Sequence, residues 1–73
     1  MGVNYKKLWI KIAEKEMSNP QVREMAEVSA STFTKLKKNE YVSLESLVKI
    51  AIALDCEVGD IVEIVKDEEK AEV

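Results

Sequence analysis

Histidine is absent from these 73 residues, and cysteine occurs once, as Cys56. Without histidine, neither a histidine-based catalytic triad nor a set of imidazole metal ligands can be assembled. A single cysteine permits no intramolecular disulfide and no thiolate cage, and it suits a reducing cytosol. Cys56 has no basic neighbour in sequence to lower its pKa, so it reads as a small apolar residue and not a redox thiol. No Gly-rich phosphate loop occurs. The carboxylates are spread along the chain without a convergent pair, so neither an enzyme nor a cofactor, metal or small-molecule ligand is expected. No apolar run is long enough for a membrane span, and the N-terminus lacks the apolar core of a signal peptide. A cytoplasmic protein that does not engage a membrane is the expectation. With only two glycines and one proline, helices are favoured over a turn-rich β fold.

What is present is apolar material, at 47% of residues, enough for one small core without staples. The net charge of −3 is unevenly divided. Residues 1–38 hold eight basic residues against four acidic, a balance of +4, and residues 39–73 hold three against ten, a balance of −7. Local field, not net charge, decides what a face attracts.

The most informative stretch is Met17 to Lys38, MSNPQVREMAEVSASTFTKLKK. Ser18 is placed to cap a helix, with Gln21 three residues on to close a capping box and Pro20 in the first turn. Met17 and Val22 make a hydrophobic staple. Ser29 is a second cap, with Val28 and Phe33 as its staple. Ala26-Glu27-Val28 leaves room only for a sharp turn, so the spacing describes a helix-turn-helix. At about 100° per residue, Phe33 and Leu36 define the inward side of the second helix. Ser31, Thr34, Lys35 and Lys38 then fall on the opposite side, and no acidic residue lies between Glu27 and Glu40. A solvated face would look similar, but a protruding helix with hydroxyl and ammonium groups suits a groove lined by phosphates and base edges.

On Ser18, Val22, Ala26, Val28-Ser29, Ser31-Thr32, Phe33, Leu36 and the run SLESLVKIAIALDCEVGDI from Ser43, the chain resembles the phage-repressor or Cro-like helix-turn-helix family, the lambda-repressor-like DNA-binding domains. Two positions depart from that pattern. Asn19 stands where the family usually has Gln, and Glu27 stands at the turn where it usually has Gly. The resemblance implies an all-α, compact five-helix domain that binds double-stranded DNA sequence-specifically and regulates transcription, most simply as a repressor. Residues 30–38 would be the recognition helix in the major groove. By analogy of position, Ala30, Ser31, Thr34 and Lys35 would face base edges. Ser18, Asn19, Lys37, Lys38 and Asn39 would face phosphate. Such domains usually bind as homodimers on paired half-sites, although no dimer interface is evident in the sequence. The rival reading is a protein-interaction module that keeps the fold without binding DNA and uses the acidic C-terminal half.

The remaining elements follow from periodicity and caps. Asn4 is placed to cap a first helix running to about Glu16, with Tyr5, Leu8, Trp9 and Ile12 as its core stripe. Lys6, Lys7 and Lys11 lie on its other sides, and Ile10 points away from the stripe. Asn39 is suited to a left-handed cap, and the position of Glu27 demands a positive φ. Ser43 caps a fourth helix whose Leu44, Leu47, Val48, Ile50, Ala51 and Leu54 wrap more than half its circumference, which predicts a buried spine. Val58 to Val65 reads as a fifth short helix, since Gly59-Asp60 resembles a first turn and the family has a helix there. An edge strand is the alternative, because IVEIV is β-branched and partly alternating. The domain is expected to span 1–66, followed by a disordered acidic tail, 67–73.

Overall fold

Short capped helices form the framework of the fold. In the computed structural model, which describes residues 2–66, they are α1 (Lys6–Glu14), α2 (Asn19–Ala26), α3 (Ala30–Lys37) and α4 (Leu44–Ala53). All three expected serine caps are formed. Ser18 Oγ accepts from the Gln21 N–H at 3.3 Å while Gln21 Oε1 accepts from the Ser18 N–H at 2.8 Å, which closes the capping box. Ser29 Oγ accepts from the Thr32 N–H at 3.2 Å and Ser43 Oγ from the Ser46 N–H at 3.1 Å. The start of α1 differs from expectation. Tyr5 occupies the cap position, and Asn4 acts from one residue further back, its Oδ1 accepting from the Lys6 N–H at 2.7 Å.

All four helices stop in the same way. Glu16, Glu27, Asn39 and Asp55, one just past each helix, have φ of 55°, 58°, 58° and 56°. At each, the left-handed residue's N–H returns to a carbonyl three residues back. The next N–H reaches a carbonyl five back: Met17 to Ile12, Val28 to Arg23, Glu40 to Lys35 and Cys56 to Ala51. This is the Schellman arrangement, which satisfies carbonyls that a helix end would otherwise leave unpaired. The positive φ expected at Glu27 and Asn39 is therefore present, and two further non-glycine residues share it.

The fifth helix does not form. Val58–Asp60 is a single 3-10 turn, with the Glu57 N–H donating to Asp60 Oδ2 at 2.9 Å. Beyond it, Glu63–Val65 is a strand, β2, paired antiparallel with β1 (Gly2–Asn4) in the register Gly2 to Val65, Val3 to Ile64 and Asn4 to Glu63. The fold is thus mostly helical with four α-helices, not five, and the strand alternative holds for residues 63–65. The reason is non-local. A β-branched run has little helix preference of its own, and β1 supplies the hydrogen-bond partners. The expected acidic tail, 67–73, lies outside the described residues.

Tyr5, Leu8 and Ile12 of α1, Val22 and Ala26 of α2, and Phe33 and Leu36 of α3 meet Leu47, Ile50, Ala51 and Leu54 in one core, closed by Ile61. Among helix pairs, α2 and α4 approach each other most extensively. The expectation that α4 is a buried spine needs correction. Leu47, Ile50, Ala51 and Leu54 are buried, but Leu44 and Val48 are exposed, as is Ile52. The other described elements cover α4 on one side only.

Backbone strain at Glu27 generates the first prediction. A side chain in the left-handed region costs about 1–2 kcal/mol, part of which glycine returns by loosening the unfolded chain. Glu27→Gly is expected to stabilise the domain by roughly 0.5–1 kcal/mol. Asn39→Gly should not: the Asn39 side chain accepts a hydrogen bond from Tyr5, and losing it costs about 1 kcal/mol. Urea midpoints should move in opposite directions for the two changes, and a fall for Glu27→Gly would falsify the strain account.

Candidate nucleic-acid interface

The turn between α2 and α3 sets how far α3 projects. Glu27 reverses the chain in a single left-handed residue, Val28 tucks partly into the core, and Ser29 opens α3 two residues later. Phe33 and Leu36 anchor the inward face of α3 and are both buried. Trp9 of α1 meets the Phe33 ring edge-on, with centroids 6.2 Å apart and an interplanar angle of 65°, a geometry worth about 0.5–1.5 kcal/mol beyond area. The far end of α3 is held by Tyr5. Its N–H donates to Asn39 Oδ1 at 3.1 Å and its hydroxyl donates to the Glu40 carbonyl at 2.8 Å. Burial pushes the Tyr5 phenol above its ordinary pKa, so it stays a protonated donor. The middle and the C-terminal end of α3 are therefore braced by Trp9 and Tyr5 at the start of the chain.

The outward face carries the residues expected from the helical wheel: Ser31, Thr34, Lys35 and Lys38 are all exposed. Ala30, which the family resemblance added to the base-facing set, is exposed as well. The hydroxyls are not all free, however. Thr34 Oγ1 donates to the Ala30 carbonyl at 3.1 Å, which commits its proton and leaves its methyl and an acceptor site outward. Ser31 Oγ lies 2.9 Å from Ser29 Oγ, which also lies 3.0 Å from Thr32 Oγ1. This cluster of three hydroxyls at the start of α3 includes Thr32, which the helical wheel alone did not single out. Its position three residues after a serine cap was the available signal.

The residues expected at phosphate divide into two groups. Ser18 and Asn19 sit at the start of α2, where Gln21 N–H is taken by Ser18 and Pro20 has none to offer. The Asn19 N–H is left without an intrahelical partner there. Lys37, Lys38 and Asn39 sit at the other end of the motif, where α3 closes, and Lys38 is its terminal cap and not part of the helix proper. Asn39 is exposed, but its side-chain oxygen is occupied by Tyr5, so only its amide N–H₂ remains to face a ligand. Among the described residues, no hydrogen bond joins Ser18 or Asn19 to α3.

The electrostatics match the charge split of the sequence. Lys35, Lys37 and Lys38 are exposed, and among the described residues the ion pair that forms lies elsewhere, between Lys49 and Glu45 at 4.0 Å. No group of three or more potential metal ligands converges among those residues. Burial raises the Cys56 thiol pKa, with Asp60 adding to the effect and Lys11 and Lys15 opposing it. Both lysines are remote from Cys56 in sequence and reach it only through the fold. No described helix is long and apolar enough to cross a membrane.

The profile of the Cro/C1-type HTH DNA-binding domain matches residues 7–67. The crystal structure of the transcriptional regulator VanUg, Form II, is similar to this chain with a TM-score of 0.85 and 44% sequence identity, covering 90% of this chain and 88% of that one. No curated protein sequence matches significantly.

The hydroxyl cluster at Ser29 gives a prediction about how α3 is held. Ser29→Ala removes the cap and one partner from both Ser31 and Thr32, and it is expected to cost about 1 kcal/mol of stability. Ser31→Ala, by contrast, leaves the cap intact and should stay within about 0.5 kcal/mol of the parent. Chemical denaturation of the two variants side by side checks the ordering, and equal losses would show that the cap contributes nothing special.

Proposed function

The chain belongs to the Cro/C1-type HTH DNA-binding domain family, and from that premise we propose that it binds double-stranded DNA sequence-specifically and represses transcription, with α3 in the major groove. The observation that carries this reading is the outer face of α3. Ser31, Thr34 and Lys35 stand exposed on the side away from the buried Phe33 and Leu36, with exposed Ala30 at its flank, in a segment with no carboxylate from Val28 to Asn39. A helix of this width enters the major groove, where a lysine reaches guanine O6 and N7. The Thr34 hydroxyl is bonded to its own helix, so its methyl is the group best placed to pack on a thymine methyl.

Phosphate positioning falls to the two ends of the motif. The N-terminus of α2 presents the Ser18 hydroxyl proton, the Asn19 side chain and the Asn19 N–H, reinforced by the helix dipole. Lys37, Lys38 and the Asn39 amide act at the end of α3. Repression needs no further chemistry than occupancy of a promoter, which suits a chain with no histidine and one cysteine of raised pKa.

Selection of bound sequences from a random duplex pool, followed by titration of the best site at several salt concentrations, tests the whole reading. Binding should weaken as salt rises, with a shallow slope because few cations face the DNA. Lys35→Ala should cost about 1–3 kcal/mol on the best site and relax preference at one base pair. Lys37→Ala should weaken all duplexes alike and flatten the salt slope by about one. Thr34→Val, which keeps the methyl, should bind better than Thr34→Ser, which keeps the hydroxyl. An absence of any retarded duplex at low salt would sink the DNA reading and leave the protein-interaction alternative. Uniform loss across single-base operator variants for Lys35→Ala would move that lysine from base to phosphate.

A further inference from the structure

The start of α1 and the end of α3 meet at one place. The Tyr5 N–H donates to Asn39 Oδ1 at 3.1 Å and the Tyr5 hydroxyl donates to the Glu40 carbonyl at 2.8 Å. Lys6 follows Tyr5 directly, its Cα about 3.8 Å further along the chain, so it stands beside the end of α3 although it is remote from it in sequence. Helical phase decides which lysines of α1 share that place. Trp9 marks the side of α1 that faces α3, because its ring meets Phe33. At about 100° per residue, Lys6 lies about 60° from Trp9, on the side away from the buried Leu8 and Ile12. Lys7 and Lys11 lie about 160° from Trp9, on the far face.

Two groups of α3 and its cap complete the cluster. Lys37 follows Phe33 by one turn, about 40° from it in phase, so it continues the row that faces α1. Lys6 and Lys37 are both exposed, and neither pairs with a carboxylate among the described residues. Asn39 is exposed as well. Because the Tyr5 N–H holds its Oδ1, the asparagine amide has one orientation, with its N–H₂ left as an outward donor.

We propose that Lys6, Lys37 and the Asn39 amide form one clamp for a single DNA phosphate, so that α1 as well as the helix-turn-helix holds the duplex backbone. This clamp rests on the DNA-binding reading and adds to it a residue outside the motif. Two ammonium groups and one fixed N–H₂ match a phosphate, whose oxygens accept from several donors at once. Glu40 and Glu63 border the same junction, Glu63 through its pairing with Asn4. The attraction is therefore short-range and directed, not the pull of a broad positive field. Tyr5 ties the clamp to α3, so gripping the backbone at this point also fixes where the outward face of α3 enters the groove.

Titration of the full chain with the best duplex from the random-pool selection is the test. Lys6→Ala should weaken binding about three- to tenfold at low salt and flatten the salt slope by about one. The loss should be the same for every single-base operator variant, and Lys6→Arg should recover most of it. Lys7→Ala makes the same charge change one residue on and should weaken binding far less. Asn39→Asp keeps the acceptor for the Tyr5 N–H, so its helical circular dichroism should match the parent. It replaces the donor with a carboxylate, however, and should lose at least about tenfold in affinity. A scan of single methylphosphonates along the duplex then locates the phosphate: at one position the parent and Lys6→Ala should bind equally. Equal losses for Lys6→Ala and Lys7→Ala overturn the clamp, as does a folded Asn39→Asp variant that binds like the parent. The absence of any such methylphosphonate position also overturns it, since Lys6 would then act only at long range. In each of these cases the parent still binds duplex; a parent that binds none overturns the DNA reading itself, and the clamp with it.

Discussion

The constraint on which this structure depends is that each helix must stop abruptly. Four helices of eight to ten residues share fewer than seventy positions, and their core faces converge only if the chain turns sharply between them. A left-handed residue followed by a bond to the carbonyl five residues back achieves this with the fewest residues. Glycine would adopt that conformation freely, yet the chain uses Glu16, Glu27, Asn39 and Asp55. The strain is tolerated because each turn satisfies helix-end carbonyls; three of them return a half-buried residue, Met17, Val28 or Cys56, to the core, and the fourth presents the Glu40 carbonyl to the Tyr5 hydroxyl.

Upon that frame, α1 acts as the brace for α3. Trp9 packs on Phe33 near the middle of α3, and Tyr5 binds Asn39 and the Glu40 carbonyl at its end. Tyr5 is in turn placed by β1, whose pairing with β2 draws the two ends of the described chain together. The position of the outward face of α3 is thus determined by residues far away in sequence, 34 and 35 positions for the two Tyr5 bonds. None of them would touch a ligand bound on that face.

The exposed surfaces then divide by chemistry. The α3 face is hydroxylic and cationic, whereas the outer side of α4 exposes the apolar Leu44, Val48 and Ile52. The negative charge of the chain is concentrated after Lys38. Keeping carboxylates away from α3 preserves its local field although the molecule as a whole is acidic.

Features written in contacts of three or four residues were legible in the sequence. The serine caps, the capping box, the sharp turn at Glu27 and the inward set Phe33 and Leu36 all follow from local spacing, and so did the exposed set Ser31, Thr34, Lys35 and Lys38. The strand at Glu63–Val65 was not decided there, because its partner is Gly2–Asn4 and pairing at that separation leaves no periodic trace. The two-sided apolar pattern of α4 was equally ambiguous: periodicity reports which residues are apolar, not how many neighbours arrive to cover them. Asn39 combines both cases. Its left-handed backbone was readable from its place after Lys38, but its hydrogen bond to Tyr5 appears only in the fold. Local hydrogen bonds and helical phase belong to the sequence; strand partners, coverage and long-range polar contacts belong to the tertiary structure, because they depend on which distant residues the core brings together.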